Sequence, residues 1–104
     1  PSFGPVIMFG SGGKYVEVFE DTAIRSCYLS DADIDSMINE TGIGRILHGV
    51  RGERSADILE LKRIIRSCAV MMLENSNIIE FDLNPLVIGE DEKYYAVDIR
   101  MKGE

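Results

Sequence analysis

Strand-forming sequence at both ends of the chain encloses a helical middle, and this order constrains the fold more than any single motif. Residues 5–28 hold short apolar or alternating runs, residues 30–74 carry apolar side chains at helical spacing, and residues 78–100 return to a strand pattern. No linker, internal repeat or low-complexity tract interrupts them. We therefore expect residues 1–104 to form a single domain.

Three short strand patterns precede the helical middle, at residues 5–9, 15–19 and 23–29. A glycine-rich run at residues 10–13 connects the first two, since glycine accepts positive φ without a Cβ clash. The run lacks the Lys-Ser/Thr ending of a P-loop, and no Gly-x-Gly-x-x-Gly opens a helix. We interpret it as a tight turn.

The middle of the chain predicts two helices. Ser30 is placed to cap the first, which ends near Gly42, and Ser55 or Asp57 is placed to cap the longer second one. The second helix has an apolar face made of Ile58, Leu61, Ile65, Cys68 and Met72.

A group of polar side chains lies within the last strand pattern. The run EFDLNPL at residues 80–86 is followed by Asp98 in the run YAVDI. Because side chains alternate along a strand, Asp82 and Asn84 point the same way, and a hairpin through residues 89–92 brings Asp98 beside them. Three oxygen donors on one sheet face suit magnesium, which shares its coordination shell with water and phosphate oxygens. A polar face ending in an Asn-Pro turn has the same spacing, so the pattern alone leaves both interpretations open.

Five motifs in a fixed order cover nearly the whole chain: FGPVIMFGSGG, VEV followed by Asp21 and Arg25, GVRG, DLNPL and AVD. In this order they resemble the C-terminal part of the ATP-grasp domain in NDP-forming acyl-CoA synthetases. This family includes the ADP-forming acetate–CoA ligase β subunit and is related to the succinyl-CoA synthetase β subunit. The resemblance implies an α+β fold, the second subdomain of an ATP-grasp fold, in which a mostly antiparallel β-sheet packs with two helices.

The resemblance also implies metal ligands. Asn84 and Asp98 match the two positions that hold the nucleotide-bound magnesium in this family. Asp82 stands where relatives carry an acidic residue, so it either binds the metal or shapes the electrostatics.

Nucleotide contacts follow from the same resemblance. Glu17 matches a glutamate that faces the nucleotide cleft, although an alternating strand also allows it to face solvent. Arg25 is the catalytic candidate and, with Arg51, the candidate contact to phosphate, because a guanidinium grips phosphate oxygens. Arg25 could instead pair with a carboxylate, and Arg51 could be a solvated loop residue. The run SCYL after Arg25 departs from the Leu-Ala-Pro-Leu of relatives.

His48, the single histidine, is not expected to be catalytic. Relatives often carry lysine at its position, and the phosphorylated histidine of the family lies in a different segment. We interpret His48 as a partly exposed residue at the edge of a loop.

The resemblance implies a parent enzyme that interconverts acyl-CoA, ADP and phosphate with a carboxylic acid, CoA and ATP. Its implied cofactors are Mg²⁺ and ATP or ADP, and its implied partners are the missing N-terminal half of the ATP-grasp domain and a CoA-binding, phosphohistidine-bearing domain or α subunit. We expect an oligomer, and we expect the isolated chain to be inactive. Two alternatives stay open: a regulatory synthetase-like module of a protein-lysine acetyltransferase, or a degenerate structural interaction domain.

The net charge, the hydropathy pattern and the cysteine content exclude several classes of function. A net charge of −7 argues against general nucleic-acid binding, which relies on clustered lysine and arginine. No apolar run is long enough to span a bilayer, and no leader pattern is present, so we expect no membrane partner and a cytoplasmic location. Cys27 and Cys68 lack metal-site spacing and are expected to be reduced and buried.

Overall fold

The computed structural model describes residues 4–11, 21–48, 56–90 and 93–103 of the chain. The predicted strand at residues 15–19 lies outside them. The elements are, in chain order, β1 (Val6–Ser11), β2 (Thr22–Ser26), α1 (Asp31–Glu40), α2 (Gly42–His48), α3 (Ala56–Glu74), β3 (Glu80–Glu90) and β4 (Lys93–Lys102). The predicted α+β class is therefore confirmed.

The four described strands form one antiparallel sheet in the order β2-β1-β4-β3. The central strands β1 and β4 come from opposite ends of the chain. They pair from Val6 opposite Lys102 to Ser11 opposite Val97. The last part of the chain thus closes the sheet against the first, and this pairing carries Asp98 into the middle of the fold.

One face of the sheet is apolar and packs against the helices. Alternation along the central strands places five buried side chains on this face: Ile7, Phe9, Val97, Ile99 and Met101. The helices contribute a matching set that is equally buried: Met37, Ile38, Leu47, Ile58, Leu61 and Ile65. Burial of each such side chain contributes roughly 1.5–3 kcal/mol before the entropy cost of ordering it. The opposite face carries the polar group predicted from the sequence.

Helix α1 begins as its sequence predicts. The Ser30 hydroxyl accepts a hydrogen bond from the Asp33 amide at 3.1 Å, and the Asp33 carboxylate accepts one from the Ser30 amide at 2.9 Å. This reciprocal capping box satisfies two backbone donors at the start of the helix. Helix α1 is tied to α3 by Arg66, whose guanidinium lies 2.7 Å from the Asp31 carboxylate.

Helix α2 was not predicted as a separate element. It begins directly after Thr41, and Asp21 caps it by accepting hydrogen bonds from the amides of Gly42 at 2.7 Å and Ile43 at 3.0 Å. The carboxylate of Asp21 comes from another part of the chain, so local sequence does not reveal this cap. His48 is the last residue of this helix, and its partial exposure at the edge of a loop stays a prediction.

Both cysteine predictions are confirmed. Cys27 and Cys68 are free and buried. Burial, with a smaller electrostatic contribution from Cys68, raises the pKa of the Cys27 thiol to about 11. Burial also raises the pKa of Cys68. Both thiols therefore stay protonated at neutral pH and act as small apolar side chains.

Within the described part of the chain, no helix is both long and apolar enough to cross a membrane.

Candidate functional site

A β-bulge brings the residues of the last strand pattern together. Leu83 pairs with Ile99 and Leu86 pairs with Val97, so Asn84 and Pro85 both stand opposite the single residue Asp98. The peptide bond between Asn84 and Pro85 is cis. Bulges of this kind re-aim a side chain and are common beside functional sites. The predicted hairpin is thus present, and it sets Asn84 at the level of Asp98.

Asp98 is the polar centre of this site. Its side chain lies in the sheet interior, with only 7% of the residue exposed to solvent. Its Oδ1 atom is buried and has no hydrogen-bond partner among the described residues. A buried acceptor left without a partner costs about 1–3 kcal/mol, and more when the group is charged. Such an oxygen is positioned for a ligand or a proton from outside the chain.

The electrostatics around Asp98 favour the arrival of a cation. Burial raises the pKa of Asp98, the nearby Arg100 guanidinium opposes this rise, and the negative charge of Asp82 adds to it. The net result is a carboxyl group whose pKa lies above its ordinary value. A divalent ion would offset the same burial and repulsion, because it supplies the missing positive charge.

Arg100 was missed in the sequence analysis. It stands directly opposite Asp82 in the β3–β4 pairing, and its Nη2 atom lies 4.0 Å from Oδ2 of Asp98. The two-residue spacing between Asp98 and Arg100 on one strand was the available signal, because such residues share a face.

The oxygen donors of this site would fill only part of the coordination shell of a magnesium ion. In the described ranges, no three His, Cys, Asp or Glu side chains come together as a metal site. Asp82 and Asp98 provide two carboxylates, and Asn84 provides an amide oxygen. Magnesium is commonly bound by one or two carboxylates, with water and substrate phosphates completing its octahedron. The set is therefore suited to a metal that arrives with a phosphate ligand.

Arg25 is not grouped with these residues. It pairs with Ile7, so it lies on the helix-facing side of the sheet. Its guanidinium donates to the Glu40 carboxylate at 2.6 Å and to the Ser36 hydroxyl at 3.0 Å. These bonds tie the edge strand β2 to α1. The contact of Arg25 with phosphate therefore stays a prediction. In this structure its guanidinium group is already hydrogen-bonded to Ser36 and Glu40.

Glu17 and Arg51, the other two predicted nucleotide contacts, lie outside the described residues.

Known proteins resemble this chain over almost its full length. The ATP-grasp domain family matches residues 1–102. The "Acetate--CoA ligase [ADP-forming] I subunit beta" of Pyrococcus furiosus is 41% identical over 101 residues, covering 97% of this chain and 43% of the relative. The "Acetate--CoA ligase [ADP-forming] I" of Archaeoglobus fulgidus is 40% identical over 101 residues, covering 97% of this chain and 15% of the relative. The chain thus spans less than half the length of these relatives.

Solved structures give the same result for the fold. A chain of the dinucleotide-forming acetyl-coenzyme A synthetase 1 of Ca. Korarchaeum cryptofilum, in complex with coenzyme A, Ca-AMPCP and HgCl⁺, superposes with a TM-score of 0.71 at 38% identity. The match covers 100% of this chain and 45% of that one. A second structure of that synthetase, with coenzyme A and Mg-AMPPCP, gives a TM-score of 0.62 at 28% identity.

Proposed function

This chain belongs to the ATP-grasp family, and we propose that it is the nucleotide- and magnesium-binding part of an ADP-forming acyl-CoA synthetase. The reaction is the interconversion of acyl-CoA, ADP and phosphate with a carboxylic acid, CoA and ATP. The ligase names of the relatives and the nucleotide complexes of the synthetase support this proposal. The N-terminal half of the ATP-grasp domain and a CoA-binding, phosphohistidine-bearing domain are the partners it requires.

The single observation that carries the proposal is the unpartnered buried oxygen of Asp98, opposite the bulge that contains Asn84. A degenerate structural domain has no reason to keep a buried carboxylate at a cost to its own stability. A metal-binding domain does, because the unshared electron pairs of this oxygen are free to coordinate a metal ion.

Each residue of the site has a distinct role in this proposal. Asp98 and Asn84 hold the magnesium ion, and Asp82 binds it or strengthens the negative potential around it. When bound, that ion neutralises charge on the phosphate oxygens and aligns the displacement. Glu17 and Arg51 line the nucleotide. Arg25 lies on the opposite face of the sheet from Asp98 and is paired with Glu40, so its contact to phosphate requires it to leave that partner and reach past the edge strand β2.

Paramagnetic broadening tests the site directly. Manganese is titrated, with ADP present, into the isotopically labelled chain, and the loss of amide signal is followed by NMR. We expect selective broadening around Asp82, Asn84 and Asp98, and its loss in the D98A variant. The matched control is D31A, which removes a carboxylate from the exposed start of α1 and should leave the broadening intact.

Two results would contradict the assignment. Diffuse broadening over all acidic side chains would mean that no organised site exists in this chain. Unchanged selective broadening in D98A would mean that Asp98 is not a ligand.

A further inference from the structure

Arg100 places a positive charge where the proposed magnesium site needs one. Its position opposite Asp82 and two residues from Asp98 puts the guanidinium on the same sheet face as both carboxylates. Within the described part of the chain, its ion pair is with Asp98 alone. Neither the metal-site pattern nor the family resemblance assigned this residue a role.

The contact that Arg100 makes is loose. The 4.0 Å separation from Oδ2 of Asp98 exceeds the 2.7–2.9 Å of a charge-assisted hydrogen bond, and 47% of the Arg100 side chain is exposed. Oδ1 of Asp98 receives no donor at all from the described residues. By contrast, Arg25 and Arg66 lie within 2.7 Å of their carboxylate partners. Arg100 therefore neutralises the site partly, without filling it.

We propose that Arg100 is a placeholder cation, which competes with a divalent ion for Asp82 and Asp98 and so weakens binding of the bare ion. This inference rests on the proposed function of the same site. A metal ion that arrives with a nucleotide brings phosphate oxygens, which give the displaced guanidinium a new partner. The site therefore selects the metal–nucleotide complex over the bare ion.

The decisive measurement is the affinity of the 104-residue chain for Mn²⁺ alone, read from the EPR signal of free manganese. R100Q should bind Mn²⁺ roughly three- to tenfold more tightly than the parent, since one unit charge near a divalent ion is removed at the edge of solvent. R100K keeps the charge and should stay close to the parent. R63Q removes an equally positive, exposed side chain on α3 and should also match the parent.

Repeating the titration with ADP tests the selectivity. Arg100 then has phosphate oxygens to bind, so the advantage of R100Q should shrink or reverse. An equal gain with and without ADP would overturn the selectivity. Binding of bare Mn²⁺ by R100Q no tighter than by R63Q would overturn the placeholder role.

A D98A variant separates this inference from the proposed function beneath it. If D98A binds Mn²⁺ as well as the parent, the metal site itself is wrong. If D98A loses Mn²⁺ while R100Q behaves like R63Q, the metal site stands and only the role of Arg100 fails. Far-UV circular dichroism confirms that each variant is folded before its affinity is compared.

Discussion

At the scale of single residues, Asp98 is held at a cost to stability. Its carboxyl group is buried, and its pKa is raised mainly by that burial. A group whose pKa is higher in the folded than in the unfolded state stabilises the fold at low pH, and this contribution is lost as pH rises through the folded pKa. At neutral pH, above the unfolded pKa, Asp98 therefore makes the metal-free chain less stable.

We accordingly expect D98N to raise the free energy of unfolding at pH 7 by about 1 kcal/mol in the absence of metal. The same variant should lose the stabilisation that Mn²⁺ gives the parent. Urea unfolding with and without Mn²⁺ measures both effects. D31N serves as the control, because Asp31 is exposed, and it should give no such gain. A D98N chain that is less stable than the parent would show that the carboxylate is structural.

Asp21 shows the opposite behaviour. Burial tends to raise its pKa, but hydrogen bonds from Ser11 and from the amides of Gly42 and Ile43, with the charge of Arg45, bring it below the ordinary value. A lowered folded pKa gives stability that is present above the unfolded pKa, near 3.9, and is lost as pH falls through the folded pKa.

D21N should therefore destabilise the chain by about 1–2 kcal/mol at pH 7, because it removes the negative charge and leaves only one of the two oxygens that accept from the amides of α2. The difference from the parent should narrow as pH falls below about 4, when Asp21 of the parent becomes protonated too. Urea unfolding of both proteins at pH 7 and pH 3 checks this. A deficit of the same size at both pH values would contradict the role of the charge.

At the scale of elements, helix α2 depends on one close approach. A Cβ atom added at Gly44 would lie 1.8 Å from the carbonyl oxygen of Ile38, which no side-chain movement can relieve. At Gly42 the nearest atoms are carboxylate oxygens of Asp21 at 3.6 Å, an ordinary contact distance. Steric contact therefore requires glycine at position 44 of this short helix, but it does not require glycine at position 42.

G44A should lower the free energy of unfolding by more than about 2 kcal/mol, although alanine is the better helix former. G42A, which adds the same methyl group two residues earlier, should change it by less than about 1 kcal/mol. Thermal unfolding of the two variants in parallel makes the comparison. Equal losses would mean that helix propensity or the cap, and not the approach to Ile38, dominates at this element.

The helices and strands also show which parts of the fold could be predicted from the sequence. Helix α1 was predictable because Ser30 and Asp33 cap it locally. Helix α2 was not, because two of its seven residues are glycine and Asp21, which caps two of its amides, is distant in sequence, although the Thr41 hydroxyl also accepts a hydrogen bond from the Gly44 amide at 2.9 Å. The hairpin that sets Asn84 and Pro85 opposite Asp98 was predicted from the sequence, whereas the shared metal site of Asn84 and Asp98 stays a prediction. The bulge that sets them level, and the face on which Arg100 lies, depend on pairing register, which alternation alone does not give.

At the scale of the whole molecule, the described helices lie on one side of the sheet, and Asp98 is buried on the other. The extents are 41 × 28 × 19 Å, and the shortest matches one sheet with one layer of helices. No described helix packs on the face that carries Asp82 and Arg100, and Ile24 on the same face is 56% exposed. A nucleotide on this face would be held from one side only, whereas an ATP-grasp site holds it between two subdomains.

We therefore expect the isolated chain to form no measurable ATP from acyl-CoA, ADP and phosphate, although it binds Mn²⁺ through Asp98. A coupled ATP assay on the chain alone measures this directly. The Mn²⁺ titration on the same sample provides the control, because it shows whether the site is formed when turnover is absent. Turnover above background that disappears in D98A would contradict the expectation, and would mean that one face of this sheet suffices for catalysis. Absent turnover with intact Mn²⁺ binding would assign the missing catalytic power to the opposing half of the cleft, where the phosphates need a second set of donors.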